Sequence, residues 1–117
     1  MASYDIYNFL DRIYGTTHPG VTYTIDLNGS PPDLTDASIK CQFRVKPTDS
    51  KVQKEFSVGS GITITDPTNG VFQIDAFDID ITPGLYYYDI LITFADDTKK
   101  VYIVGTFKVV QNVTQNG

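Results

Sequence analysis

The sequence predicts an all-β chain folded as one antiparallel β-sandwich of about seven to eight strands. Three observations carry this expectation. Apolar and polar residues alternate with a period of two over several short runs, the pattern of half-buried strands. Clusters of Gly, Pro, Asn and Asp separate those runs, and no long helical period competes with them. The last third of the chain reads as two long strands joined by the acidic turn Asp96-Asp97-Thr98.

The elements follow in order. Residues 1–20 form an N-terminal arm or leading strand, 21–110 the sandwich, and 111–117 a polar C-terminal tail. In the first segment Ile6, Leu10, Ile13 and Tyr14 would share a helical face. The same stretch also fits an extended strand ended by Gly15-Thr16-Thr17-His18-Pro19-Gly20, and so short an apolar run does not decide between them. Val21, Tyr23, Ile25 and Leu27 then alternate with Thr22, Thr24 and Asp26, until Asn28-Gly29-Ser30-Pro31-Pro32-Asp33 breaks the ladder. Ile39, Cys41, Phe43 and Val45 alternate with Lys40, Gln42 and Arg44, before a turn at Pro47-Thr48-Asp49-Ser50. Val52, Phe56 and Val58 suggest a weaker strand, and residues 62–65 another. Asp66-Pro67-Thr68-Asn69-Gly70 is a turn, because Pro pre-sets φ and Asn-Gly tolerates positive φ. A strand over 71–74 and a short edge-like one over 77–81 lead into the closing pair.

That pair opens with Gly84-x-Tyr86-x-Tyr88, the spacing at which immunoglobulin-like sandwiches carry a tyrosine corner. Tyr86 is the expected corner, its hydroxyl bonding backbone upstream. Alternation assigns Tyr86, Tyr88, Ile90 and Ile92 to the core, together with Cys41, Phe43 and Phe107, and leaves Tyr87 outside. In an immunoglobulin-like arrangement Cys41 and Tyr88 would take the two disulfide positions of antibody domains, as a sulfur–ring packing contact.

Composition excludes several functions. The chain has 117 residues, which predicts a single domain able to bury its own core. One cysteine allows neither an intrachain disulfide nor a thiolate metal cluster, and suits a reducing compartment such as bacterial cytoplasm. The net charge is −5 and the nine Lys and Arg are scattered, which argues against nucleic acid as a partner. No apolar run of about 20 residues suggests a membrane span, and the first residues do not read as a signal peptide. His18 is the only histidine, and a nucleophile–base pair could in principle be built from it and Cys41. Alternation buries that thiol, where it is inert. Asp75, Asp78 and Asp80 lack the glycine and distal glutamate of a calcium loop and read as a solvated strand face. No catalytic, cofactor or metal residue is therefore assigned, and no small-molecule substrate is expected. The candidate partner-binding residues are Tyr4, Ile6, Tyr7, Phe9, Leu10, Ile13 and Tyr14 on the arm, with Tyr87 and Tyr102 on the sheet, since exposed tyrosines give large contact area with few rotors.

Three segments also resemble a known family. They are Leu27-Asn28-Gly29-Ser30-Pro31-Pro32-Asp33-Leu34-Thr35-Asp36-Ala37-Ser38-Ile39, the turn Asp66-Pro67-Thr68-Asn69-Gly70-Val71-Phe72, and Thr82-Pro83-Gly84-Leu85-Tyr86-Tyr87-Tyr88-Asp89-Ile90 followed by Gly105-Thr106-Phe107-Lys108-Val109. Their order is similar to small immunoglobulin-like domains of tailed-bacteriophage virion proteins of the upper-baseplate and tail-collar type. The resemblance covers roughly residues 20–113. It implies a non-enzymatic structural protein of tail, collar or baseplate that binds other virion proteins. It also implies copies of itself in a ring or other symmetric array, assembled in the host cytoplasm. The alternative is a capsid decoration or head-fibre protein, or a carbohydrate-binding adhesin module using exposed tyrosines.

Overall fold

A computed structural model describes residues 5–25 and 31–113. Tyr4, Leu27, the Asn28-Gly29-Ser30 break and the end of the polar tail lie outside the described residues.

Among the described residues there are eleven strands: β1 (Asp5–Ile6), β2 (Arg12–Ile13), β3 (Thr17–His18), β4 (Val21–Thr24), β5 (Ser38–Arg44), β6 (Lys54–Val58), β7 (Gly61–Asp66), β8 (Val71–Ile74), β9 (Phe77–Asp78), β10 (Gly84–Thr93) and β11 (Lys99–Val110). Four of them are two-residue pieces, so the described sandwich has seven strands of real length. One layer runs β11-β10-β5-β6 and the other β7-β8-β4. A short parallel pairing of β6 with β7, Ser57 opposite Gly61 and Val58 opposite Ile62, joins the layers into one curled sheet. Strands β3 and β9 form a separate two-stranded ribbon. Apart from that join, and with the N-terminal segment paired to β11 instead of β4, this is the pairing pattern of an immunoglobulin-like sandwich with β6 added to the β11-β10-β5 layer. The tyrosine corner is in place: Tyr86 donates its hydroxyl proton to the Thr82 carbonyl.

The first segment is extended. Strands β1 and β2 lie parallel along the outer edge of β11, with Tyr7, Phe9 and Tyr14 N–H groups donating to the carbonyls of Val104, Thr106 and Val110 at 2.8–2.9 Å. Phe9 corrects an expectation. Proposed as a surface residue of an arm, it is 6% exposed and packs against Tyr88 at 5.0 Å, Phe107 at 5.1 Å and His18 at 5.4 Å. The physical reason is that pairing with β11 sets the segment's register, and this register turns Phe9 into the open end of the sandwich. Burying one Phe this way contributes roughly 2–3 kcal/mol.

Tyr102 is a second correction. It was expected outside and is 5% exposed, with its neighbour Ile103 equally buried. The ladder slips there: Ile90 faces Ile103 and Leu91 faces Val101, so Tyr102 is the extra residue of a β-bulge. A bulge reverses the in–out parity beyond it, and counting by twos cannot see one.

The expected Cys41–Tyr88 pair is a third. Strands β5 and β10 are neighbours in one layer, where Cys41 faces Ile90 and Phe43 faces Tyr88. The Phe43 and Tyr88 rings stack at 5.3 Å. Across the layers Tyr88 meets Tyr23 of β4, whose buried hydroxyl lies beside its own. Strands β4 and β10 correspond to the two that antibody domains link by a disulfide. Here two tyrosines meet at that place.

Smaller differences have local causes. Val45 lies beyond the end of β5 and is exposed; β6 begins at Lys54, leaving Val52 outside it. Residues 67–69 of the Asp66–Gly70 turn form a 3-10 turn, closed by Gly70 at φ 68. A side chain at Gly70 would place its Cβ 2.8 Å from the Ile25 carbonyl, so this turn requires glycine. The remaining residues assigned to the core (Cys41, Phe43, Tyr86, Tyr88, Ile90, Ile92 and Phe107) are all buried.

Candidate interaction surface

An antiparallel layer ordinarily hides one face and solvates the other. Here the solvent side of the β10–β11 layer is unusually apolar. Ten residues of β10 alternate so that Leu85, Tyr87, Asp89 and Leu91 point away from the core. Beyond its bulge β11 contributes Val104, Thr106, Lys108 and Val110. Ile6 stands beside Val104 and Ile13 beside Val110, which extends the apolar strip onto the N-terminal segment.

A groove of about 650 Å³ opens on this face. Ile6 and Asn8 form one wall, and Pro47 and Asp49 in the turn after β5 form the other. The floor is Tyr87, Asp89, Leu91, Val101 and Val104. Arg44 fixes the second wall, its Nη1 donating to the Asp49 carbonyl and its Nη2 to Gln42 Oε1 at 2.6 Å. Asn8 Oδ1 fixes the first by accepting from the Thr106 N–H at 3.1 Å. Burial pushes the Asp89 carboxyl up, and the Arg44 guanidinium opposes that in part.

The proposed partner-binding residues divide accordingly. Ile6, 69% exposed, and Tyr87, 39% exposed, share the groove. Leu10 and Ile13 are exposed farther along the segment. Tyr7 is partly exposed, but its ring turns inward, edge-on to Phe9 at 5.3 Å and Tyr23 at 5.7 Å. Tyr14 is half-buried against the core, and Phe9 and Tyr102 are buried. Arg44, Gln42 and Asp89 were missed as groove residues. Alternation already placed them outward, but only the β5–β10 register brings them together.

The titratable groups weighed for chemistry lie apart. Burial raises the Cys41 thiol far above its usual range, which leaves it protonated. His18 is buried rather than on a loop. It stacks on Phe77 at 4.9 Å and accepts the Gly20 N–H on Nδ1 at 3.0 Å. Burial, with a smaller contribution from Arg12, lowers its pKa to about 4. Asp75 accepts from Thr63 at 3.0 Å, Asp78 from Thr17 at 2.9 Å, and Asp80 pairs with Lys54 at 2.9 Å. The three carboxylates therefore serve three different partners.

No family model matches the chain. No curated protein matches it either. Among solved structures it is similar to CopC from Methylosinus trichosporium OB3b, with 13% identity over 91% of this chain and 89% of that one, at a TM-score of 0.49. It is also similar to extracellular domains 3–5 of Drosophila OTK, with 14% identity over 91% of this chain but 33% of that one, at a TM-score of 0.38. Neither is a phage protein. The fold assignment stands on the strand pairing above.

Proposed function

We propose that this chain is a non-enzymatic structural domain of a tailed-phage particle, in tail, collar or baseplate, acting by protein–protein binding in many copies. The virion context comes from the sequence resemblance. The structural observation that supports a binding role is the apolar outer face of the β10–β11 layer. Of the ten large apolar side chains exposed among the described residues, Ile6, Ile13, Leu85, Tyr87 and Val110 lie on this side. A strip of that kind, holding a groove rimmed by polar groups, is the usual mark of an interaction site. The glycan-binding alternative relied on exposed tyrosines, and burial of Tyr102 removes one of the candidate rings.

Mass spectrometry of purified particles from a producing culture tests the reading. The chain should be present at a fixed ratio to the other virion proteins. Its recovery only in the soluble lysate would overturn the proposal.

A further inference from the structure

We propose that the outer face of the β10–β11 layer pairs with the same face of a second copy of this chain about a two-fold axis, Arg44 of each copy meeting Asp89 of the other. This rests on the protein-binding reading and names a first partner for it. Three observations converge. The first is the apolar strip of Ile6, Leu85, Tyr87 and Val110 on a sheet face that no described residue covers.

The second is charge. Asp89 lies on the groove floor within reach of the Arg44 charge of its own chain, but no described residue gives it a hydrogen bond or an ion pair in contact. Arg44, one strand away on the same face, uses two N–H groups on Asp49 and Gln42. Three of the five guanidinium donors remain for an incoming carboxylate. Opposite charges side by side on one face are what an isologous contact needs, because a two-fold axis sets each against its opposite.

The third is area. The N-terminal segment, β11, β10 and β5 span about 19 Å at ordinary strand spacing, and β10 is about 33 Å long. That plane offers roughly 600 Å² before side-chain relief is counted, close to the about 800 Å² per partner of a stable interface. The net charge of −5 opposes self-association at long range, so the apolar strip supplies the attraction and the Arg44–Asp89 pairs set the register.

Sedimentation of the full chain across a concentration series tests this. The wild type should form a dimer, and Tyr87→Asp should be a folded monomer by circular dichroism. Asp89→Arg and Arg44→Asp should each weaken self-association roughly tenfold or more. An equimolar mixture of those two variants should recover a heterodimer, since one pair is then the native Arg44–Asp89 contact and the other is restored with its signs exchanged. If Arg44→Asp fails to fold, the loss of the Asp89→Arg dimer still decides. A wild type that stays monomeric, or a dimer indifferent to Tyr87→Asp and Asp89→Arg, overturns the pairing. A monomeric chain that nevertheless enters particles overturns the pairing alone, whereas a dimer absent from particles overturns only the virion reading.

Discussion

The Tyr88 hydroxyl donates to the Tyr7 carbonyl at 2.6 Å, across 81 residues of sequence. It ties the first strand of the chain to the penultimate one. The contact is possible because Gly105 faces Tyr88 across the ladder, and the Tyr7 backbone passes directly over that glycine. A Cβ at position 105 would stand 1.8 Å from the Tyr7 oxygen and 2.9 Å from the Tyr88 ring.

Gly105→Ala should therefore lift the N-terminal segment off β11. No side-chain rotation relieves a collision with backbone, so the Tyr88–Tyr7 bond and the β1 pairing are lost together. Chemical denaturation should show a loss of roughly 2–4 kcal/mol. A variant as stable as the wild type would contradict the close passage of Tyr7.

Phe9 makes a related prediction. Its ring sits among Tyr88, Phe107, Phe43 and His18, so Phe9→Ala leaves a cavity at one end of the core. The cost should be about 3–5 kcal/mol. Deleting residues 1–14 should cost more and expose the aromatic cluster to a hydrophobic dye. An unchanged melting temperature after deletion would restore the idea of a dispensable arm.

Acid should weaken the fold through His18. Its folded pKa of about 4 lies below the ordinary imidazole value of 6.5, so the unfolded chain takes the proton first. The contribution is complete above pH 6.5 and is lost as pH falls through that window toward 4. It amounts to roughly 2 kcal/mol once partial screening is allowed for. Denaturation curves of wild type and His18→Gln across this range should converge as pH falls. Parallel curves would contradict it.

The corner is a smaller, separate test. Tyr86→Phe removes the bond to the Thr82 carbonyl while keeping the ring buried, and should cost about 1–2 kcal/mol. No change in the denaturation midpoint would mean that the bond contributes nothing.

Much of the fold was legible because β5 and β10 alternate without interruption, and the Tyr86 spacing states a specific hydrogen bond. What escaped has definite physical causes. Tyr102 sits in a bulge, and parity counting assumes none. Phe9 belongs to a segment whose strands are two residues long and gain their register from β11, so no local period marks them. Cys41 drew attention as the one thiol, yet the cross-layer partner of Tyr88 is Tyr23, a pairing that only the β4–β8 connection reveals. The groove was half legible. Tyr87 and Ile6 could be named from exposure patterns, but Arg44 and Asp89 come onto one groove through strand pairing that no single segment encodes.

The most direct measurement is particle occupancy of Tyr87→Asp, supplied in trans and quantified by mass spectrometry of purified particles. Tyr87 is on the solvent side, so the variant should fold within about 1 kcal/mol of the wild type. The account predicts a folded protein that is missing from particles carrying the wild-type chain. Incorporation of Tyr87→Asp at wild-type occupancy would contradict it.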